Sequence, residues 1–374
     1  MRTVEDVLAM LPPSPSLQEL VAPAYDLPDM LEGVKVGLAV ESMRRHTTDE
    51  GWQLFDGLNH AGWVLCGHAL SSQEGREAYS ITNVPSILQT FDQHKRTLLN
   101  GQTAGGLTTV LVQDKREWTG LTAGGERTFD SRERFSSVEE LWNRHDLFKL
   151  TVVKDAQHDA EFHRGAASEI GCHAWVCYYH PKIVKRLAPY VRERHLVRTY
   201  HSIDKDLVPK YQADRRVGTI ISGARSPKTY PLRERLWKDD RISMHRLGHP
   251  GYHRKGCGTP DYLRLLSGFR VAICTSSIYG YTLRKIIEAT ACGCVVITDL
   301  PMDDVLPKID GNLVRVAPEI PTEDLREIIA HYERKYDPFI QANYAVVAKQ
   351  RYDFRVLGKK LSDDIEAMRL SYAR

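Results

Sequence analysis

Short apolar runs rich in Val and Ile alternate along this chain with segments whose apolar residues recur at helical spacing. Strands that are apolar at nearly every position are buried on both faces, which is typical of parallel sheets covered by helices. In the first half of the chain the predicted strands are 34–40, 63–70, 108–113, 149–154, 173–179 and 195–200. In the second half they are 216–222, 242–247, 269–275, 294–298 and 313–316. Two such arrays in tandem predict an α/β fold with two doubly wound, Rossmann-like lobes facing each other across a cleft.

The segments between the strands predict the helices and the domain boundaries. Helical spacing is found at 49–60, 137–143, 160–170, 183–191, 232–238, 260–266, 282–291 and 322–336. The polar stretch 202–214 contains Pro209 and has no periodicity, so we place the boundary between the lobes there. We therefore predict a first lobe at 1–201, a second lobe at 202–337, and helices at 338–374 that cross back onto the first lobe.

Composition narrows the class of protein. The 374 residues are enough for two cores, and 42% hydrophobic with 26% charged residues is typical of a folded globular protein. No apolar run approaches the roughly 20 residues that span a bilayer, and residues 1–10 carry acids, unlike a secretory signal. The seven cysteines are odd in number and scattered, which favours a reduced compartment. We expect a cytoplasmic protein without a membrane partner.

Positive charge is concentrated in one part of the chain. Residues 181–240 hold 15 Lys and Arg against 7 Asp and Glu, whereas the whole chain has a net charge of only +3. Such a basic segment is suited to phosphate, whether of a nucleotide or of a polymer backbone. A solvated helix face followed by a linker explains the same charges equally well.

The segment most informative for function is 272–299, AICTSSIYGYTLRKIIEATACGCVVITD. It predicts a buried strand, a loop with Ser and Gly, and a helix that starts at about Tyr281. A helix N-terminus at the carboxyl end of such a strand presents backbone N–H groups to an anion, which makes it a natural phosphate site. The hydroxyls of Ser276, Ser277 and Thr282 are further candidate donors there.

The helix itself carries charged residues one turn apart. Arg284, Lys285 and Glu288 are predicted on its polar face, and Gly293 is predicted to end it in the left-handed conformation. A carboxylate at Glu288 can accept from both hydroxyls of a ribose while Lys285 meets a diphosphate. The alternative is an ordinary surface ion pair between Arg284 and Glu288, which are four residues apart.

Four stretches of the second half resemble a known family. The sequence EATACGCVVITD resembles the donor-site signature of glycosyltransferases with the GT-B fold. Together with SGARSPKTYPLRERL, HPGYH and TPDYLRLLSGFRVAICTSS, it is similar to the spore-maturation-like glycosyltransferase family. The resemblance implies a GT-B enzyme that uses a nucleotide sugar as its donor, and a UDP-sugar is the leading candidate.

The resemblance also assigns roles to individual residues. It implies that Glu288 contacts the donor ribose, that Arg233 and Lys285 lie near the diphosphate, and that Tyr262 lies beside the nucleotide. The full predicted donor set is Gly223, Arg225, Arg233, Tyr262, Ser276, Ser277, Tyr281, Thr282, Lys285 and Glu288. Many retaining enzymes of this fold carry another Glu eight positions before the ribose carboxylate, and here that position is Gly280. Sugar contacts and stereochemistry therefore do not carry over.

No metal or cofactor is predicted. An Asp-x-Asp motif at a strand end is absent, and Cys292 and Cys294 are typical of core packing rather than of a zinc site. We expect the nucleotide sugar to be a co-substrate and the leaving diphosphate to be stabilised by the helix N-terminus and by Arg and Lys, without a metal.

The catalytic base is predicted at the carboxyl ends of first-lobe strands, which face the cleft. Asp114 follows one such strand, and Asp155 and His158 follow another. Imidazole is the group most easily poised near neutral pH. The competing role is structural, since Asp159 is well placed to cap the helix that follows.

The acceptor is the least determined part of the prediction. Lys115, Arg116 and Trp118 combine cations with a ring for stacking, as nucleic-acid binders do. Bacteriophage enzymes that glucosylate hydroxymethylated pyrimidines in DNA share the two-lobe plan. DNA is therefore the leading acceptor hypothesis, in a host cytoplasm if a phage encodes the chain. A saccharide or small-molecule acceptor, a nucleotide-sugar 2-epimerase, and a non-catalytic nucleotide- or DNA-binding module are the alternatives.

Overall fold

A computed structural model describes residues 34–40, 50–68, 107–112, 145, 147–153, 171–187, 195–248 and 259–372. The first lobe contains one parallel sheet with the strand order β2-β1-β3-β4-β5-β6. Its strands are β1 (Val34–Val40), β2 (Val64–His68), β3 (Leu107–Val112), β4 (Phe148–Val153), β5 (Ala174–Cys177) and β6 (Leu196–Arg198). The predicted helices at 137–143 and 160–170 lie outside the described residues.

The second lobe contains a parallel sheet with the order β11-β10-β9-β7-β8. Its strands are β7 (Arg216–Ser222), β8 (His245–Leu247), β9 (Phe269–Ile273), β10 (Val295–Thr298) and β11 (Leu313–Arg315). Ile221, Ile273 and Ile297 lie side by side and pack into one core cluster, whereas their neighbours Ile220, Ala272 and Val296 pack into another. Successive residues of a strand point to opposite faces, so the sheet is buried on both sides.

Helices cover both faces of the second sheet. The described helices of the whole chain are α1 (Glu50–His60) and α2 (Pro181–Leu187) in the first lobe, then α3 (Pro231–Lys238), α4 (Thr259–Leu266), α5 (Arg284–Ala291), α6 (Thr322–Arg334), α7 (Pro338–Arg351) and α8 (Phe354–Tyr372). Helices α3 and α6 contribute to one core cluster, and α4, α5 and α7 contribute to the other. This arrangement confirms the doubly wound fold that the apolar pattern predicts.

Helix α8 returns to the first lobe, as predicted from the sequence. Gly57 of α1 and Gly358 of α8 meet where the helices cross, so closely that an added Cβ on either would collide with backbone of the other helix. The indole nitrogen of Trp63 donates to Ser362 Oγ at 2.9 Å. Where the chain enters α8, the N–H of Phe354 donates to the carbonyl of Ile203, which joins the two segments that run between the lobes.

The two lobes also touch through side chains at the cleft. Arg198 of β6 pairs with Asp304, which follows β10 and is fully buried, at 2.5 Å. Tyr179, after β5, stacks on Tyr281 with ring centroids 3.7 Å apart. Within the described ranges, no helix is both long enough and apolar enough to cross a membrane.

Candidate functional site

The most distinctive feature of the second lobe is a pair of cations that converge on one glycine. Gly223 follows β7 with a φ of +120°, a conformation that favours glycine. A Cβ added there would collide with Nζ of Lys285 and lie 2.9 Å from Nη1 of Arg233. Glycine is therefore required both by the backbone and by the close approach of the two side chains.

Arg233 is fixed by the start of α3. Pro231 occupies the first turn of this helix, as predicted, and Arg233 follows two residues later, almost fully buried. Its Nε donates to Thr275 Oγ1 at 2.9 Å, its Nη2 to the Thr275 carbonyl at 3.0 Å, and its Nη1 to the Ala224 carbonyl at 2.8 Å. Burial lowers the pKa of Arg233. Neutral oxygens thus hold the guanidinium in place without neutralising its charge.

Lys285 approaches from α5. Its Nζ donates to the Ser222 carbonyl at 2.6 Å. Burial, followed by the charge of Arg233, lowers the pKa of Lys285 to about 7. Neither Lys285 nor Arg233 forms an ion pair with a carboxylate in the part of the chain that the structure describes. Two cations held this close together without a carboxylate partner among the described residues favour an anion between them.

The loop between β9 and α5 is held by its own hydroxyls. Ser276 Oγ donates to the Ser277 carbonyl, and Ser277 Oγ accepts from the N–H of Tyr279. The hydroxyl of Thr282 donates to Asp304 at 2.5 Å, and its contact with a phosphate stays a prediction. The N–H of Ser276 donates to Asp299, whose pKa burial raises.

Helix α5 differs from the prediction in two ways. It begins at Arg284 rather than near Tyr281, because the preceding residues are extended and occupied by contacts with other segments. It also lacks the predicted polar face, since Arg284 and Glu288 are only 6% and 3% exposed. The predicted ion pair between them exists, with Nε 3.0 Å from Oε1, but it is buried rather than at the surface. The physical reason is the packing of α5 against α4, α7 and Gln53 of the first lobe.

Gly293 ends α5 as predicted. Its φ is +81°, and Arg215 caps the same helix end by donating to the Cys292 carbonyl at 2.5 Å. Arg215 and Arg198 belong to the basic segment 181–240, so part of that charge serves contacts within the protein. Within the described residues, no three His, Cys, Asp or Glu side chains are grouped to hold a metal ion.

Three other predicted donor-site residues, Tyr262, Tyr281 and Arg225, differ in burial. Tyr262 is buried in the core, where its hydroxyl lies 2.8 Å from Ser222 Oγ, so it supports the strand end that carries Gly223. Burial raises the pKa of Tyr262 well above its ordinary value. Tyr281 is also buried and contacts the first lobe. Arg225 is exposed near the Trp237 ring, on the loop that follows Gly223.

Glycine at position 280, where many retaining enzymes of this fold carry a carboxylate, is favoured by the local backbone. Gly280 has a φ of +74°, and a Cβ there would lie 3.0 Å from Pro301 Cγ. A side chain at this position would therefore strain the backbone and require Pro301 to move.

The predicted base and acceptor residues lie outside the described residues. They are Asp114, Asp155, His158, Lys115, Arg116 and Trp118. The strands that precede them, β3 and β4, are described and pair in parallel. Strands β3 and β4 therefore end at the same edge of the sheet, and the roles of the six residues stay predictions.

Several residues of the site have no signal in the local sequence. Asp299 is an exception, because the sequence could have predicted its position. The parallel neighbours β9 and β10 end at the same edge of the sheet, which brings Asp299 to Ser276. The contacts of Arg198 with Asp304 and of Gln53 with Arg284 join residues far apart in the chain. No periodicity or motif pairs them.

Solved structures with the same architecture are glycosyltransferases. The glycosyltransferase from Rickettsia africae matches with a TM-score of 0.56 and 12% identity, covering 91% of this chain and 99% of that one. Anabaena HepE, solved with UDP-glucose, matches with a TM-score of 0.52 and 13% identity over 90% of this chain and 99% of its own. The chain has the GT-B fold. No protein-family model matches the chain, and neither does any curated protein sequence.

The GT-B fold gives the described residues a common location. In this fold the two lobes face each other, and the carboxyl ends of parallel strands border the crevice in which ligands bind. Gly223, Ser276 and Asp299 follow β7, β9 and β10, so they lie at that edge of the second sheet. At this low identity the matches establish the fold alone, and the chemistry depends on the side chains.

Proposed function

We propose that this chain is a glycosyltransferase that takes a nucleotide sugar as donor and transfers the sugar to an acceptor hydroxyl. One observation carries the proposal: Arg233 and Lys285 converge on Gly223 without an ion-pair partner among the described residues, next to the first turn of α5. Cations placed in this way stabilise the charge that develops on a leaving diphosphate.

The ribose would lie one helical turn further along α5. Glu288 is the carboxylate nearest in sequence to Lys285 on that helix, and a carboxylate can accept from two vicinal hydroxyls at once. A diphosphate at Gly223 and a ribose at Glu288 fit the order of groups in a nucleotide sugar. UDP-sugars are the first donors to test, since HepE was solved with UDP-glucose.

The division of labour between the lobes is part of the proposal. The second lobe, 202–337, would hold the donor, and the first lobe, 1–201, would hold the acceptor. Asp114, Asp155 and His158 are the proposed bases because they follow β3 and β4 at the edge where the strands end.

Donor turnover tests the proposal. Purified protein is incubated with UDP-, ADP- and GDP-sugars, and released nucleoside diphosphate and modified sugar are both measured. We expect nucleoside diphosphate release with one of these donors. Glu288→Ala should lower the rate of release by about 100-fold, because hydrogen bonds to a charged group are lost. Glu327→Ala, at an exposed glutamate of α6, is the matched control and should keep full activity.

The outcomes separate the alternatives. A changed sugar still attached to its nucleotide would indicate a 2-epimerase. Nucleotide binding without turnover of any donor would indicate a binding module. Full activity in Glu288→Ala would rule out the ribose role.

The acceptor hypothesis needs its own experiment. A hydroxymethylated pyrimidine in DNA is proposed from Lys115, Arg116 and Trp118 and from the basic segment 181–240. Radiolabelled sugar should then be incorporated into hydroxymethylated DNA and not into plain DNA. Incorporation into a saccharide or a small molecule alone would replace DNA as the acceptor.

A further inference from the structure

The proposed donor site contains a buried cation to which the function above gives no role. Arg284 is the first residue of α5, and its Nε lies 3.0 Å from Oε1 of Glu288. Its Nη1 is buried and has no hydrogen-bond partner among the residues that the structure describes. A buried guanidinium with an unpaired donor reduces stability, because desolvation of that group is not compensated. A requirement other than stability therefore favours arginine at this position.

Arg284 also contacts the first lobe. Gln53 of α1 is buried, and its amide lies between Arg284 and Ser202. In the amide orientation that satisfies both neighbours, its oxygen accepts from Nη2 of Arg284 at 3.0 Å, and its nitrogen donates to the carbonyl of Ser202 at 2.8 Å, in the segment that joins the lobes. The guanidinium is thus fixed between Glu288 in its own helix and Gln53 in the other lobe.

We propose that Arg284 is a positioning residue that orients the Glu288 carboxylate for the donor ribose and makes that contact depend on Gln53 of the first lobe. This inference rests on the function proposed above. A buried carboxylate without a counter-ion favours its neutral form. A neutral carboxyl group accepts hydrogen bonds far less strongly than a carboxylate. Arg284 prevents that loss, and Gln53 limits the rotation of Arg284.

The test compares ribonucleotides with 2′-deoxyribonucleotides. Binding of UDP, ADP and GDP and of their 2′-deoxy counterparts is measured by calorimetry, and the base bound most tightly is used throughout. The ratio of the two dissociation constants isolates the ribose contact, because base and diphosphate are the same in both ligands. The variants are Arg284→Met, Arg284→Lys and Gln53→Leu, with Arg264→Lys on the exposed face of α4 as the matched control.

We expect wild-type protein to prefer the ribonucleotide by about 10- to 100-fold, as for a hydrogen bond to a charged group. Arg284→Met should bring this ratio close to one while the affinity for the deoxynucleotide stays nearly unchanged. Arg284→Lys keeps the positive charge and should restore most of the preference. Gln53→Leu should lower the ratio several-fold, and Arg264→Lys should leave it unchanged.

A purely structural ion pair gives a different result. Equal weakening of both nucleotides in Arg284→Met and Gln53→Leu would overturn the positioning role. If Arg284→Met fails to fold, an unchanged ratio in Gln53→Leu would overturn it as well. Nucleotide binding without ribose preference in wild-type protein would also overturn it and leave the donor proposal standing. Failure of wild-type protein to bind any of the nucleotides would instead overturn the proposed function.

Discussion

At the scale of single residues, Lys285 makes donor binding depend on pH. In the free protein its pKa is about 7, because burial and the nearby Arg233 disfavour the charged form. A diphosphate favours that charged form, so binding above pH 7 requires proton uptake and becomes weaker as the pH rises. The charged fraction of Lys285 falls from about one half at pH 7 to about one hundredth at pH 9, so we expect nucleotide affinity to fall by about 50-fold over this range.

Lys285→Arg is the matched control, because a guanidinium stays charged over this range. Calorimetry in buffers with different ionisation enthalpies should show proton uptake in wild-type protein and none in the variant. The same pH dependence in both proteins would show that another group, such as the ligand phosphate, is responsible.

At the scale of elements, the crossing of α1 and α8 depends on two glycines. Gly57 and Gly358 allow backbone contact that any side chain would prevent. We expect Gly358→Ala to lower the free energy of unfolding by about 2 kcal/mol or more, since overpacking forces the backbones apart. Urea denaturation measures the change, and Lys359→Ala, at the exposed neighbouring position, should differ little from wild type. An unchanged free energy of unfolding in Gly358→Ala would mean that the two helices move apart without loss of stability.

The elements also show how far the sequence predicts the structure. The strands Val34–Val40 and Arg216–Ser222 are predicted at both ends, because a run of apolar residues is a local signal. The burial of Arg284 and Glu288 is not predicted, because charged residues at helical spacing are typical of a solvated face. Their burial results from packing against α4, α7 and Gln53 of the first lobe, and helical periodicity carries no information on those contacts. The family motif EATACGCVVITD indicates Glu288 as a site residue. It does not indicate Arg284, because the contacts of Arg284 depend on the packing of the helix.

At the scale of the whole molecule, two adjacent acids link the lobes in very different environments. Asp304 is fully buried, forms an ion pair with Arg198 of the first lobe and accepts a hydrogen bond from the hydroxyl of Thr282. Asp303 pairs with Lys182 of the first lobe at 3.4 Å, where both side chains are more than half exposed. Exposed pairs contribute little because water and salt screen them, whereas loss of one partner from a buried pair leaves an uncompensated charge.

This contrast gives a matched experiment on the interface between the lobes. We expect Arg198→Ala to lower the free energy of unfolding by about 3 kcal/mol, because Asp304 stays buried without its cation. Lys182→Ala should change it by less than about 1 kcal/mol. Arg198→Ala should also weaken nucleotide binding, since Asp304 holds Thr282 at the end of the loop between β9 and α5, whereas Lys182→Ala should not. Equal effects of the two variants, measured by urea denaturation and calorimetry, would show that the buried ion pair does not determine how the lobes are held together.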